Sequence, residues 1–146
     1  MADALGVGTM SLYHHVDDKE SLLEGVVEMV LAEVGVPAAS AGPWPLPLGL
    51  LARSLHDAGR RHPNCVALLA HSGAPALGRW QAAVAPRVLA DGGPAGAVDA
   101  LRAYIAYTVG FLIAAPEGTG GDLEAGLDIL DAGVDGGRSA VSQEAG

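Results

Sequence analysis

The chain has 146 residues, half of them hydrophobic, and its 17 acidic and 8 basic side chains give a formal net charge of −9. A chain of this length and apolar content can bury a core as one domain, which disfavours a disordered protein. The acidity disfavours non-specific nucleic-acid binding, so any contact with DNA must come from a small local surface.

Several targeting and ligand signals are absent from the sequence. The N-terminus has no basic segment followed by an apolar one, and the longest uncharged apolar run, 103–115, is shorter than the ~18 residues of a membrane span. The single cysteine, Cys65, has no partner for an internal disulfide, and there is no CxxC or Cys/His cluster for a metal. We therefore expect a cytoplasmic protein with no membrane partner, no metal and no cofactor.

The first predicted elements are a short helix and a longer one. Residues 9–16 allow barely two helical turns, and a helix that short needs support from its neighbours. Asp17 and Glu20 have the spacing of a capping box, and apolar residues then recur every three or four positions until Gly35. The carboxylates of this second helix are predicted to face solvent; they are Glu24, Glu28 and Glu33.

Proline and glycine divide the rest of the chain. The segment 36–47 carries four prolines and is predicted to be a linker. No stretch alternates with the period of a strand, so beyond the linker the apolar spacing predicts helices only, and the fold class is all-α. These helices cover residues 48–61, 63–70, 75–89, 94–115 and 123–134. The remaining residues, 136–146, are expected to form a flexible tail.

The last two predicted helices are apolar on more than one side, so a second face of each must be covered. Small residues, which let two backbones approach closely, form a strip on the first helix and a row on the second. The alternative to an interface is an ordinary monomer core. We predict a homodimer interface formed by Ala103, Ala106, Gly110, Gly126, Ile129 and Gly133.

The opening residues resemble the helix-turn-helix of tetracycline-repressor-like (TetR) transcriptional regulators. The matching positions are Leu5-Gly6-Val7, Leu12-Tyr13, His15-Val16, Lys19 and Leu22-Leu23. Later residues are similar to landmarks of the family's regulatory domain, in the same order. These are Trp44, His62-Pro63, the segment 125–129 and Gly133.

This resemblance implies a partial helix-turn-helix headpiece with its connecting helix at residues 1–35. A TetR-like helical bundle at residues 48–135 would then bind ligand and form the dimer. In the family the short helix reads operator DNA, which assigns base and phosphate contacts to Thr9, Met10, Ser11, Tyr13, His14, His15 and Lys19. A small apolar effector would enter the bundle. Its pocket would be lined by His71, Trp80, Tyr104, Tyr107 and Phe111. The alternative is that these five are ordinary core residues.

One departure from the family bears on DNA binding. Family members have a whole helix and most of another before the position of Ala2, so the chain matches a headpiece truncated within the helix-turn-helix. Up to residue 28 it has one cation, Lys19, against six carboxylates, which is a poor electrostatic match for DNA. We therefore expect weak DNA binding by this chain.

Three functions compete. The first is a ligand-responsive repressor of the TetR type, and the second is a dimerisation module that retains only the regulatory domain. An enzyme is the weakest, because residues 118–121 lack the spacing and the preceding strand of a phosphate loop. Ser72 stands beside His71 but lacks a nucleophile-elbow context. We predict that the protein is not an enzyme.

Overall fold

A computed structural model describes residues 18–71, 74–90, 93–114 and 122–144 of the chain. Over these ranges the protein is all-α, as the sequence predicts, with six α-helices and no strand. A short 3-10 turn, Ala39–Ala41, precedes the second helix. The helices are α1 (18–32), α2 (Leu46–Arg61), α3 (Pro63–His71), α4 (Ala74–Leu89), α5 (Ala97–Ala114) and α6 (Leu123–Glu144).

The core surrounds α5, which packs against α2, α3, α4 and α6. Its buried face carries Leu101, Tyr104, Ile105, Thr108 and Leu112, positions three or four apart that a helix brings to one side. Thr108 is the polar member of this set, and its hydroxyl donates to the backbone carbonyl of Tyr104 at 2.7 Å. That bond satisfies a buried hydroxyl within its own helix.

The first helix shares this core. Val27, Leu31 and Val34 are buried in one hydrophobic cluster with residues of the later helices. α1 ends at residue 32, and beyond it the Gly35 amide donates to the Ser54 hydroxyl of α2 at 2.7 Å. This hydrogen bond attaches the end of α1 to the middle of α2.

The predicted linker also packs on the core. Val36 and Trp44 lie against the hydrophobic cluster, and the peptide bond between Trp44 and Pro45 is cis. α2 begins at Leu46, slightly earlier than predicted, with Pro47 in its first turn, where a missing N–H costs no helical hydrogen bond. The proline-rich segment therefore connects two helices that share one core.

Two helix ends differ from the sequence prediction. α5 begins at Ala97, not at residue 94, because Gly96 has a φ of 79° and this left-handed conformation interrupts a right-handed helix. The predicted end of the last helix at residue 134 is wrong, because α6 continues to Glu144 through the expected flexible tail. The glycines at 136 and 137 weaken a helix by about 1 kcal/mol each but do not remove its hydrogen bonds.

By length and composition alone, α5 could cross a membrane. Among the described helices it is the one with this property, with a mean hydropathy of 1.4 over 18 residues. The core helix of a soluble protein meets the same criterion, and α5 packs against other helices of this chain along its buried face.

Candidate functional site

The residues predicted to read DNA fall mostly outside the described part of the chain. Lys19 is exposed in the first described turn of α1. Asp17, the first residue of the predicted capping box, is not described. The other predicted DNA contacts that lie outside the described residues are Thr9, Met10, Ser11, Tyr13, His14 and His15.

The three carboxylates predicted to face solvent, Glu24, Glu28 and Glu33, are partly exposed, and each also pairs with a later part of the chain. The Arg79 guanidinium of α4 donates to Glu24 at 2.8 Å and to Glu28 at 2.6 Å, and these hydrogen bonds raise the pKa of Arg79. Glu33 lies 2.8 Å from Nε2 of His62, at the junction of α2 and α3. A pattern read along one helix carries no information on these partners, so the pairs were missed.

Among the aromatic residues of the predicted effector pocket, Tyr104 is the most deeply buried. Its hydroxyl donates to the Asp131 carboxylate, which joins α5 to α6. Burial and this carboxylate raise the pKa of Tyr104, so the phenol stays protonated and acts as a hydrogen-bond donor. Tyr104 therefore links two helices inside the core.

Tyr107 and Phe111 lie together at the other end of α5, with ring centroids 6.1 Å apart. The Tyr107 hydroxyl donates to the Leu123 carbonyl at 3.3 Å, near the start of α6. Trp80 is half-buried on α4 against the core cluster. His71 is the last residue of α3, and its side chain is outside the described set.

An open cleft lies where α2 meets the end of α5 and the start of α6. It encloses about 400 Å³, within the size range of small-molecule sites. Of the predicted pocket residues whose side chains the structure describes, Phe111 alone lines it. We call it the α2–α6 cleft; its lining residues are Arg53, His56, Asp57, Arg60, Phe111, Asp122, Leu123 and Glu124.

One pair of charged groups spans the α2–α6 cleft. Arg53 donates to Glu124 through Nε at 2.8 Å and through a terminal nitrogen at 2.6 Å. This two-point contact lowers the pKa of Glu124 and raises the pKa of Arg53. The pair closes one side of the cleft by tying α2 to α6.

The floor of the α2–α6 cleft is partly aromatic. The His56 ring meets the Phe111 ring edge-on, with centroids 5.7 Å apart. Burial lowers the pKa of His56, so the imidazole is neutral at neutral pH. Sequence reasoning missed this site, although a signal was present: Arg53, His56, Asp57 and Arg60 recur at helical spacing on an amphipathic helix.

A second, apolar crevice between α1, α2, α3 and α5 is almost filled. It holds about 10 Å³, room for at most about one water molecule. Val27, Leu55 and Leu112 are among the side chains that close it. An apolar effector would have to separate these helices to enter at this point.

The predicted dimer residues fall into two groups. Ala103, Ala106, Gly110 and Gly133 are exposed, and Ile129 is 72% exposed. Gly126 is different, because a Cβ there would overlap the Tyr107 ring and hydroxyl of the same chain. The small size of Gly126 therefore serves the packing of α6 on α5.

Comparison with known proteins adds no relative: no protein-family model, curated protein or solved structure matches this chain. Within the part of the chain that the structure describes, no three His, Cys, Asp or Glu side chains are grouped so that they could hold a metal ion. Function therefore has to be inferred from the residues of this chain and their geometry.

Proposed function

We propose that the protein is a ligand-responsive transcriptional regulator of the TetR type, a repressor that acts as a homodimer in the cytoplasm. The observation that carries the proposal is the resemblance of residues 5–23 to the family's helix-turn-helix. The all-α body is compatible with a helical regulatory domain. Fold by itself does not imply function, so each part of the proposal has its own test.

The dimer part is supported by the outward face of α5 and α6. This face presents Ala106, Gly110 and Ile113 on α5, and Ile129 and Gly133 on α6. Ile113 is 43% exposed and Ile129 is 72% exposed, so this face leaves two large apolar side chains in contact with solvent. A second copy could cover this face through a two-fold axis, because the face has small residues where the helices would cross.

Sedimentation at micromolar concentration tests the dimer. Two chains are expected, and Gly110→Trp should convert the protein to a monomer, because the indole would hold the two outward faces apart. Gly78→Trp is the matched control, since Gly78 is exposed on α4 with open space around it. A monomeric wild-type protein, or a dimer that survives Gly110→Trp, would contradict the proposed interface.

DNA binding by the 146-residue chain is expected to be weak. Six carboxylates accompany Lys19 up to residue 28; Arg79 pairs with two of them, Glu24 and Glu28, and offsets one unit of their negative charge. The unbalanced negative charge next to Lys19 opposes phosphate contact. An anisotropy titration with DNA from the region upstream of the coding sequence tests this, at low and physiological salt, beside a version extended upstream in the same reading frame.

Binding by the extended version alone would support the repressor. In that version Lys19→Ala should weaken binding to all sequences alike, since a phosphate contact carries no sequence information. Tyr13→Ala and Ser11→Ala should act mainly on the operator. If neither version binds DNA while the dimer persists, the alternative is favoured: a dimerisation module without DNA binding. Its supporting observation is the acidic surroundings of Lys19.

The effector part is tested by thermal stability. A ligand that binds the folded protein alone raises its melting temperature. A panel of apolar small molecules should contain at least one such ligand, and Phe111→Ala should reduce the shift more than the corresponding change at Trp80. Indifference across the panel would favour the alternative that the predicted pocket residues are ordinary core aromatics.

A further inference from the structure

We infer that the α2–α6 cleft is a binding site for a small organic cation, an amine attached to an aromatic or alkyl group. Binding at the cleft does not depend on whether the protein recognises DNA. Only the role of that cation as the effector, in place of the apolar molecule that the family resemblance implies, rests on the proposed function.

The cleft has the size and the walls that a small amphipathic molecule needs. About 400 Å³ is available, and Phe111 and Leu123 form an apolar side from α5 and α6. Phe111 is half-buried, so part of its ring is free to pack against a ligand. Such a ring also attracts a cation placed over its face.

The charges around the cleft favour a cation. Its carboxylates are Asp57, Asp122 and Glu124, against the two guanidinium groups of Arg53 and Arg60. Arg53 and Glu124 neutralise each other through their two-point contact. Two carboxylates then remain against one guanidinium, so the open part of the cleft carries a net negative charge.

Each of the two remaining carboxylates, Asp57 and Asp122, has an oxygen that can accept a hydrogen bond from a ligand. Asp57 is largely exposed, and its ion-pair neighbour, the Nδ1 atom of His56 at 3.9 Å, is neutral at neutral pH. Asp122 accepts the Glu124 amide with Oδ1 at 3.0 Å, which leaves its second oxygen for a ligand N–H. The neutral His56 ring supplies one acceptor nitrogen beside them.

The electrostatic field around the rest of the molecule is also negative. Asp128 and Asp131 lie close enough to Arg53 to raise its pKa by their charge, so the cleft is flanked by acidic groups of α6. The whole chain has a net charge of −9. This field raises the local concentration of cations and lowers that of anions. An organic anion of the same size would have to approach a cleft whose unpaired groups, Asp57, Asp122 and Arg60, carry a net negative charge.

A titration followed by amide NMR shifts tests the inference with three probes of similar size. They are 2-phenylethylamine, 2-phenylethanol and phenylacetate, which at pH 7 are cationic, neutral and anionic. The amine should bind most tightly, about threefold better than the alcohol, as expected for one exposed ion pair, and the acid should bind most weakly. Shifts should be confined to the end of α5, the start of α6 and residues 53–60. The inferred cation site would be overturned by equal affinities for the three probes, by tighter binding of the acid, or by shifts centred elsewhere in the chain.

Single substitutions identify which charged group in the cleft attracts the amine. Asp57→Asn should weaken amine binding about threefold and leave alcohol binding unchanged, because only the ion pair is lost. Asp99→Asn is the matched control, since it removes the same charge from an exposed site at the other end of α5. Arg60→Gln should tighten amine binding, and Phe111→Leu should weaken both ligands. Equal effects of Asp57→Asn and Asp99→Asn would show that overall charge alone attracts the amine.

The role as effector is measured separately, by DNA binding of the extended version with and without the amine. If the extended version does not bind DNA, the repressor proposal fails and the three-probe titration still decides the cleft. If amine binds at the cleft and DNA affinity is unchanged, the site is confirmed and its role as effector is overturned.

Discussion

The inner and outer faces of α5 are both apolar, yet they meet different surroundings. The inner face carries Ile105, which is 2% exposed in the core, and the outer face carries Ile113, which is 43% exposed. The inner face also uses large side chains such as Leu101 and Tyr104, whereas Ala106 and Gly110 keep the outer face flat. The same helix therefore builds the core of the chain on one side and presents a flat, exposed apolar surface on the other.

The largest predicted effect is the difference in stability between a substitution on the inner face of α5 and one on its outer face. Ile105→Ala should lower the free energy of unfolding by about 2–5 kcal/mol, because it removes buried apolar contacts and leaves a cavity. Ile113→Ala should change it by no more than about 0.5 kcal/mol in the monomer, since half of that side chain is already in water. Urea denaturation at low protein concentration measures both. Equal losses would mean that the outer face is packed within its own chain.

The buried hydrogen bond of the inner face should have the next largest effect. Tyr104→Phe should lower the free energy of unfolding by about 1–3 kcal/mol, because Asp131 loses its phenolic donor in a half-buried position. The described outer-face residues Ala106, Gly110 and Ile113 have no polar side chain, so Ile113→Ala serves as the control. A neutral Tyr104→Phe would show that water replaces the phenol at Asp131.

The same tyrosine predicts a pH dependence. Burial and Asp131 raise the pKa of Tyr104 above its ordinary value of 10.0, so the folded protein keeps a proton that the unfolded chain releases. The native state then binds more protons than the unfolded state, and stability falls as pH rises above about 10. Denaturation midpoints between pH 8 and 11 measure this, and the slope should be smaller in Tyr104→Phe. The same slope in both proteins would contradict the assignment.

Two glycines of α6 differ in the same way, since Gly126 packs against α5 and Gly133 is exposed. Gly126→Ala should destabilise the protein by about 1–2 kcal/mol, because the added methyl group displaces the Tyr107 ring. Gly133→Ala meets open space and should stabilise the monomer by about 0.5–1 kcal/mol through helix propensity. Thermal denaturation gives both signs. If Gly133→Ala also weakens the dimer in sedimentation, Gly133 lies at the contact between copies.

The smallest effect is expected at the exposed ion pair of the α2–α6 cleft. Glu124→Gln should cost about 0.2–1 kcal/mol at pH 7, since both side chains of the pair are largely in water. Arg53 lowers the pKa of Glu124, so this contribution is present above pH 4.5 and is lost as pH falls below that value. High salt should reduce the difference between the variant and the wild type. A difference that is independent of salt would indicate a structural role for Glu124 instead.

Much of the helix layout is predictable because its signals are local. Pro63 and the glycines near residue 92 mark helix ends, and the predicted helix 75–89 corresponds closely to α4. The spacing also places Ile105 and Ala106 on different faces of α5, since successive residues of a helix lie ~100° apart. It does not tell which of two apolar faces is covered by the same chain.

The sequence by itself determined the all-α class, the approximate helix boundaries and the resemblance at residues 5–23. Only the tertiary structure decided the partners: Arg53 with Glu124 across 71 positions, Tyr104 with Asp131, and Arg79 with the carboxylates of α1. The α2–α6 cleft likewise exists only where three helices meet. The physical reason is that helix formation depends on neighbours within a few residues, whereas these contacts depend on how whole helices stack on one another.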